Sequence, residues 1–170
     1  MLRTAAASAP SELPELQTQL SEVETSVAGV IDELREITRG IHPAVLSEGG
    51  LQPALKVLAR RSAVPVELDA RIDSRLPERV EVAAYYVVSE ALTNAVTHAN
   101  PSVVRIDVDL SDGLLTLSVD DDGVGGADLG RGSGLIALED RVEALGGKIE
   151  ITSPRGRGTS LQVTLPIDPP

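Results

Sequence analysis

The sequence contains no cysteine, no phenylalanine and no tryptophan, and its tyrosines are confined to Tyr85 and Tyr86. Without cysteine, disulfides, thiolate nucleophiles and sulfur-ligated zinc are excluded. Without an aromatic series, stacking platforms for nucleic-acid bases are not expected. Basic residues are also scarce. The 15 Lys and Arg stand against 26 Asp and Glu, for a net charge of −11, which argues against nucleic acid or an anionic membrane as the main partner. An anionic ligand would need local donors or a divalent cation. No apolar run approaches the roughly 18 residues of a membrane span, and Met1-Leu2-Arg3 followed by alanines is too short for a signal peptide, so the chain is expected to be soluble and cytoplasmic. Neither GxxxxGK[ST] nor GxSxG occurs, which disfavours a P-loop and a nucleophile elbow. His42 and His98 are too far apart in sequence to suggest a metal cluster.

What is present is 42% apolar residues in 170, enough for one sizeable core with a helical appendage. From Leu13 to Ile41 the apolar residues recur at alternating spacings of three and four, a heptad seam that suits a helical bundle or coiled coil. Gly40 to Gly50 reads as a connector. Leu51 to Arg61 reads as a short helix with Leu51, Leu55 and Leu58 on one face, and Val64 to Ala70 as a strand. Pro77 is expected at the first position of a long helix that Asn100-Pro101 ends. Val103–Leu110 and Leu114–Asp120 flank Ser-Asp-Gly as a hairpin. A glycine-rich loop then leads to a helix over Leu135–Leu145, and Lys148–Ser153 and Thr159–Leu165 form a second hairpin across PRGRG.

The long helix carries an anomaly. At about 100° per residue, Glu90, Asn94 and His98 fall within about 80° of one another, in or beside the sector of Val80, Ala84, Val87 and Ala91. Polar groups turned toward a core need partners or cost about 1–3 kcal/mol each, which points to a buried polar site. Asn94 offers a neutral oxygen suited to Mg²⁺, and Glu90 could orient a metal-bound water or act as a base. His98 could also simply cap helix carbonyls. Asp121, at a strand end, could accept a hydrogen bond from an exocyclic amine such as that of adenine, with Gly123 and Gly125 admitting a flat base; the same residues also suit a solvated acidic turn. Gly130, Gly132 and Gly134 before the helix at Leu135 could form a phosphate cradle or a plain hinge, and Arg131 could meet a phosphate or water.

In order, Glu90-x-x-x-Asn94-x-x-x-His98-Ala99, Asp121-x-Gly123-x-Gly125, Gly132-x-Gly134-Leu135 and Gly158-Thr159 closely resemble the ATP-binding domain shared by gyrase-type ATPases and histidine kinases. The segment IDELREITRGIHPAVLSEGGLQPAL and the short loop from Gly126 to Arg131 resemble the two-component sensor kinases of the short-lid class. The resemblance implies an α+β fold of the Bergerat type, a two-layer sandwich whose mixed, largely antiparallel sheet bears helices on one face. It implies ATP and Mg²⁺ as ligands, with Asn94 on the metal, Glu90 assisting, and Asp121 on the adenine amino group. Gly123 and Gly125 would line the base pocket, Gly132 and Gly134 would bracket the phosphate side with His98, Arg131 and Leu135 close by, and Thr159 would close the adenine side. Residues 1–45 would be a dimerisation helix and connector, and 46–170 the catalytic domain, which transfers the γ-phosphoryl to a histidine elsewhere; a response regulator would be the partner.

Two departures matter. Thr97 stands where the family usually has lysine, and no upstream histidine followed by an acidic residue is present, since His42 precedes a proline. The chain is therefore expected to be a fragment or half of a split kinase, unable to phosphorylate itself alone. An anti-sigma-factor-type serine kinase or sequestering switch is the alternative, separable by assays with histidine and serine acceptors. A coiled-coil adaptor with a degenerate site would bind no nucleotide.

Overall fold

A computed structural model describes residues 44–127 and 133–168; the heptad seam, His42, Gly130, Arg131 and Gly132 lie outside the described residues. The elements are α1 (Ala44–Gly49), α2 (Leu51–Arg61), β1 (Val66–Arg71), α3 (Glu78–Asn94) with a π-helical turn at Ala95–Ala99, β2 (Val104–Ser111), β3 (Leu114–Asp121), α4 (Ser133–Glu143), β4 (Lys148–Thr152) and β5 (Thr159–Pro166).

The five strands form one sheet in the order β1-β2-β3-β5-β4. Only β1 and β2 run parallel, with Val66 opposite Val104, and α3 is the crossover between them. The other pairs are antiparallel, so the sheet is mixed and largely antiparallel, as expected. The β2–β3 hairpin closes on Asp112 (φ 51°) and Gly113 (φ 75°), the left-handed pair that matches the twist of a two-residue turn.

Alternation sorts the strands into two faces. Val104, Ile106 and Val108, Leu115, Leu117 and Val119, and Leu161, Val163 and Leu165 are buried together with Val80, Ala84, Val87 and Val88 of α3, Leu51 and Leu55 of α2, and Leu138 and Val142 of α4. Each buried Val, Leu or Ile stabilises by about 1.5–3 kcal/mol relative to exposure. The opposite face is polar, with cross-strand ion pairs Arg105–Glu67 at 3.0 Å and Arg71–Asp109 at 3.1 Å. Among the described residues, helices therefore lie on one face only.

Several boundaries differ from expectation. The supposed connector holds α1, because Leu46 is fully buried and Gly50, at φ 78°, lets its N–H close on the Leu46 carbonyl at 2.9 Å. β1 begins at Val66 rather than Val64: Pro65 has no N–H to give the ladder, although its carbonyl accepts from Val104 at 2.9 Å. Pro77 precedes the helix instead of opening it; its ψ of 135° is extended, while its carbonyl accepts from Val80 and Glu81. α4 starts two residues early, at Ser133.

Candidate functional site

The C-terminal half of α3 faces a cavity of about 430 Å³ between that helix, the sheet, the loop after β3 and the start of α4. Glu90, Asn94 and His98 line it from the helix, and Asp121 and Thr159, which pair across β3 and β5, line it from the sheet. The floor is apolar, with Val119, Ile151 and Leu161 projecting from adjacent strands. A slot with apolar walls and convergent polar groups is the usual form of a small-molecule site. The polar trio was expected to turn into the core. Instead Glu90 and Asn94 are half-buried and His98 is exposed. The sector occupied by Val80, Ala84 and Val87 ends against packed strands, and one turn further on it opens onto the cavity. The final turn relaxes to a π-helix, a local widening common at functional positions, and Asn100 leaves it left-handed at φ 48°.

Three consecutive aspartates, two closing β3 and one just after it, are put to different uses. Asp120 lies opposite Arg105 and Ser160 on the polar face. Asp121 lines the cavity, and its Oδ1 accepts from the Gly123 N–H at 2.8 Å; among the described residues Oδ2 has no partner. Asp122 turns away and accepts from the Ser102 N–H at 2.7 Å, the Val103 N–H at 3.2 Å and the Ser102 hydroxyl. Those bonds, the Ser102 hydroxyl foremost, hold the Asp122 carboxyl below its ordinary value of 3.8.

The glycines differ as well. Gly125, at φ 61°, lines the cavity, and a Cβ there would come within 2.8 Å of the Gly158 carbonyl. Gly134 also lines it, packed so closely on Glu90 that a Cβ would stand 2.9 Å from the carboxyl carbon. Gly123 was expected to line the base pocket but is not among the lining residues. It lies flat on Ala99, where a Cβ would collide with the carbonyl oxygen that accepts from Val124. Its role is the close approach of loop and helix end. Leu135 lines the cavity, whereas Arg131 and Gly132 lie outside the described residues.

Sequence reasoning missed Ser153. Its carbonyl accepts from Gly126 N–H at 2.9 Å, its hydroxyl accepts from Ala127 N–H at 2.9 Å, and the same hydroxyl is 2.9 Å from Thr159 Oγ1. With Gly156 N–H on the Val124 carbonyl at 2.7 Å, these bonds stitch residues 124–127 to the β4–β5 turn. Nothing in a lone serine before Pro154 signals this. The floor residues were findable, because Val119 is two positions before Asp121, and Leu161 two after Thr159, on the same strand faces.

A family model for the histidine kinase-, DNA gyrase B- and HSP90-like ATPases matches residues 79–169. Among curated proteins, the chain is 35% identical over 147 residues to the sensor histidine kinase NarS of Mycobacterium tuberculosis, covering 80% of this chain and 34% of that protein. It is 29% identical over 162 residues to the oxygen sensor histidine kinase NreB of Staphylococcus carnosus, covering 90% of this chain and 47% of that one. The chain thus spans less than half the length of either relative. The solved structure of the Acinetobacter baumannii histidine kinase AdeS shares the fold at TM-score 0.58 and 15% identity, over 94% of this chain and 86% of that one. The order of strands, the cavity and the sequence match agree: this chain belongs to the histidine kinase-, DNA gyrase B- and HSP90-like ATPase family, on its sensor histidine kinase side.

Proposed function

We propose that the cavity binds ATP with Mg²⁺ and presents the γ-phosphoryl to a histidine on another segment, with a response regulator as the downstream acceptor. The observation that carries this is one cavity lined by the open Asp121 Oδ2 on the sheet, by Asn94 on the helix and by the apolar Val119, Ile151 and Leu161. Asp121 accepts a proton donor on the base, the floor excludes water from its flat faces, and Thr159 supplies a hydroxyl beside it. Glu90, Asn94 and His98 line the phosphate end.

The donor set fits a hard cation. Among the described residues Asn94 has no hydrogen-bond partner for its amide, and no group of three or more His, Asp or Glu could hold an ion unaided. The cation would thus take oxygens from both Asn94 and the phosphates, keeping several waters. When bound, it neutralises phosphate charge during transfer. The described lining has two carboxylates and no Lys or Arg, so this neutralisation matters more here.

Calorimetric titration with ADP and Mg²⁺ tests the reading. Binding is expected, and Asp121→Ala is expected to weaken it by about 1.5–3 kcal/mol, roughly 10- to 150-fold, by losing a charge-assisted hydrogen bond. Absence of binding, or unchanged affinity in the variant, would overturn it.

A further inference from the structure

We infer that Ser153 is a positioning residue that fixes the direction of the Thr159 hydroxyl, and so decides which edge of a purine the site accepts. The inference rests on the nucleotide reading above and assigns a role to a side chain outside the cavity lining.

The supply of hydrogens sets the direction of these bonds. A backbone N–H can only donate, so the Ala127 N–H occupies one lone pair of Ser153 Oγ at 2.9 Å. Ser153 has a single hydrogen, and among the described residues its one acceptor is Thr159 Oγ1, at 2.9 Å. If Thr159 instead donated to Ser153, the half-buried Ser153 hydrogen would have no protein acceptor. The arrangement that satisfies every group runs from Ala127 N–H to Ser153, and from Ser153 O–H to Thr159. The Thr159 hydrogen is then left for the cavity that Thr159 lines.

The site thereby offers a fixed pattern, an acceptor at Asp121 Oδ2 and a donor at Thr159. A 6-aminopurine presents the complement, an amino donor beside a ring-nitrogen acceptor. A 6-oxopurine presents the reverse, an acceptor oxygen beside a ring N–H. A hydroxyl that could rotate would serve either edge. Ser153 removes that freedom, and it is itself held because Gly126 N–H donates to its carbonyl at 2.9 Å.

The probes are ADP and IDP, whose bases differ in this donor and acceptor pair, titrated with Mg²⁺ against the whole chain. In Ser153→Ala the ratio of ADP to IDP affinity is expected to fall about 3- to 10-fold, the worth of one ordinary hydrogen bond, with part of the change arising from tighter IDP binding. Ser153→Thr keeps a hydroxyl and should keep the ratio. In a Thr159→Val background, Ser153→Ala should no longer change it. Equal weakening of both nucleotides by Ser153→Ala, an unchanged ratio, or loss of the ratio in Ser153→Thr would overturn the assignment while leaving nucleotide binding intact. Failure of the unmodified chain to bind ADP would instead overturn the nucleotide reading itself.

Discussion

The two halves of α3 treat their inward polar groups in opposite ways. In the N-terminal half, Glu81 is 2% exposed, the one buried charged residue among those described, and it is satisfied by protein. Its Oε1 accepts from Leu76 N–H at 3.3 Å and pairs with Arg75 Nε at 3.2 Å, and Arg75 in turn donates to the Leu46 and Ser47 carbonyls of α1 at 3.0 and 3.1 Å. In the C-terminal half, Asn94 and His98 face a cavity, and Asn94 has no partner among the described residues. A polar group enclosed by partners is part of the scaffold. One that meets an open cavity with its bonding capacity unused is poised for a ligand. The two halves belong to a single helix, so the difference comes from what packs opposite, not from the helix itself.

The sharpest way to break this contrast is Glu81→Ala. Removing one member of a buried pair costs about 3–5 kcal/mol, and the half-exposure of Arg75 brings the expectation to about 2–3 kcal/mol. The Leu76 N–H would lose its acceptor and α1 its tie to α3. Urea denaturation should show that loss, while the folded fraction retains its affinity for ADP. A variant with unaltered stability and weakened nucleotide binding would move Glu81 from scaffold to site.

Asn94→Ala asks the converse. No described protein bond is removed, so the urea midpoint should hold. The affinity for ADP without Mg²⁺ should hold too, while the gain on adding Mg²⁺ should fall by about 10- to 100-fold, as for loss of one contact to a charged partner. A drop in stability with the Mg²⁺-dependent gain preserved would make Asn94 a packing residue.

How much of this was legible in sequence depended on whether the signal was periodic. Period two gave the strands within a residue or two, and Asp112-Gly113 gave the hairpin. The spacing of Glu90, Asn94 and His98 gave the helix side of the cavity and Asp121 a group on its sheet side. What periodicity could not say was whether the polar stripe met packed strands or open space, because that depends on how far β3 and β5 extend opposite the helix. It could not find α1 either, whose existence rests on one buried leucine and the long-range clamp from Arg75. Ser153 was invisible for a related reason, since two of its three bonds reach Gly126 and Ala127, distant in sequence.

The same contrast recurs over a distance of one residue, between Asp121 and Asp122, and gives the smallest and most discriminating effect. The chain leaves β3 after Asp121, so one carboxylate faces the cavity while the next turns away to the Ser102-Val103 backbone, and Asp122 should behave as Glu81 does, only at the surface. Its carboxyl is held below the ordinary 3.8 in the folded chain. A carboxyl depressed by folding contributes stability that is present above its unfolded value and is lost as pH falls through its folded value. The unmodified chain should therefore be more resistant to urea than Asp122→Asn at pH 7, and that advantage should shrink as pH falls below about 3.8, because the protonated acid and the amide then accept equally poorly from Ser102. Affinity for ADP at pH 7 should change little. An advantage that persisted at low pH, or a variant whose main defect was nucleotide affinity, would mean that the strand end does not separate scaffold from site between these two carboxylates.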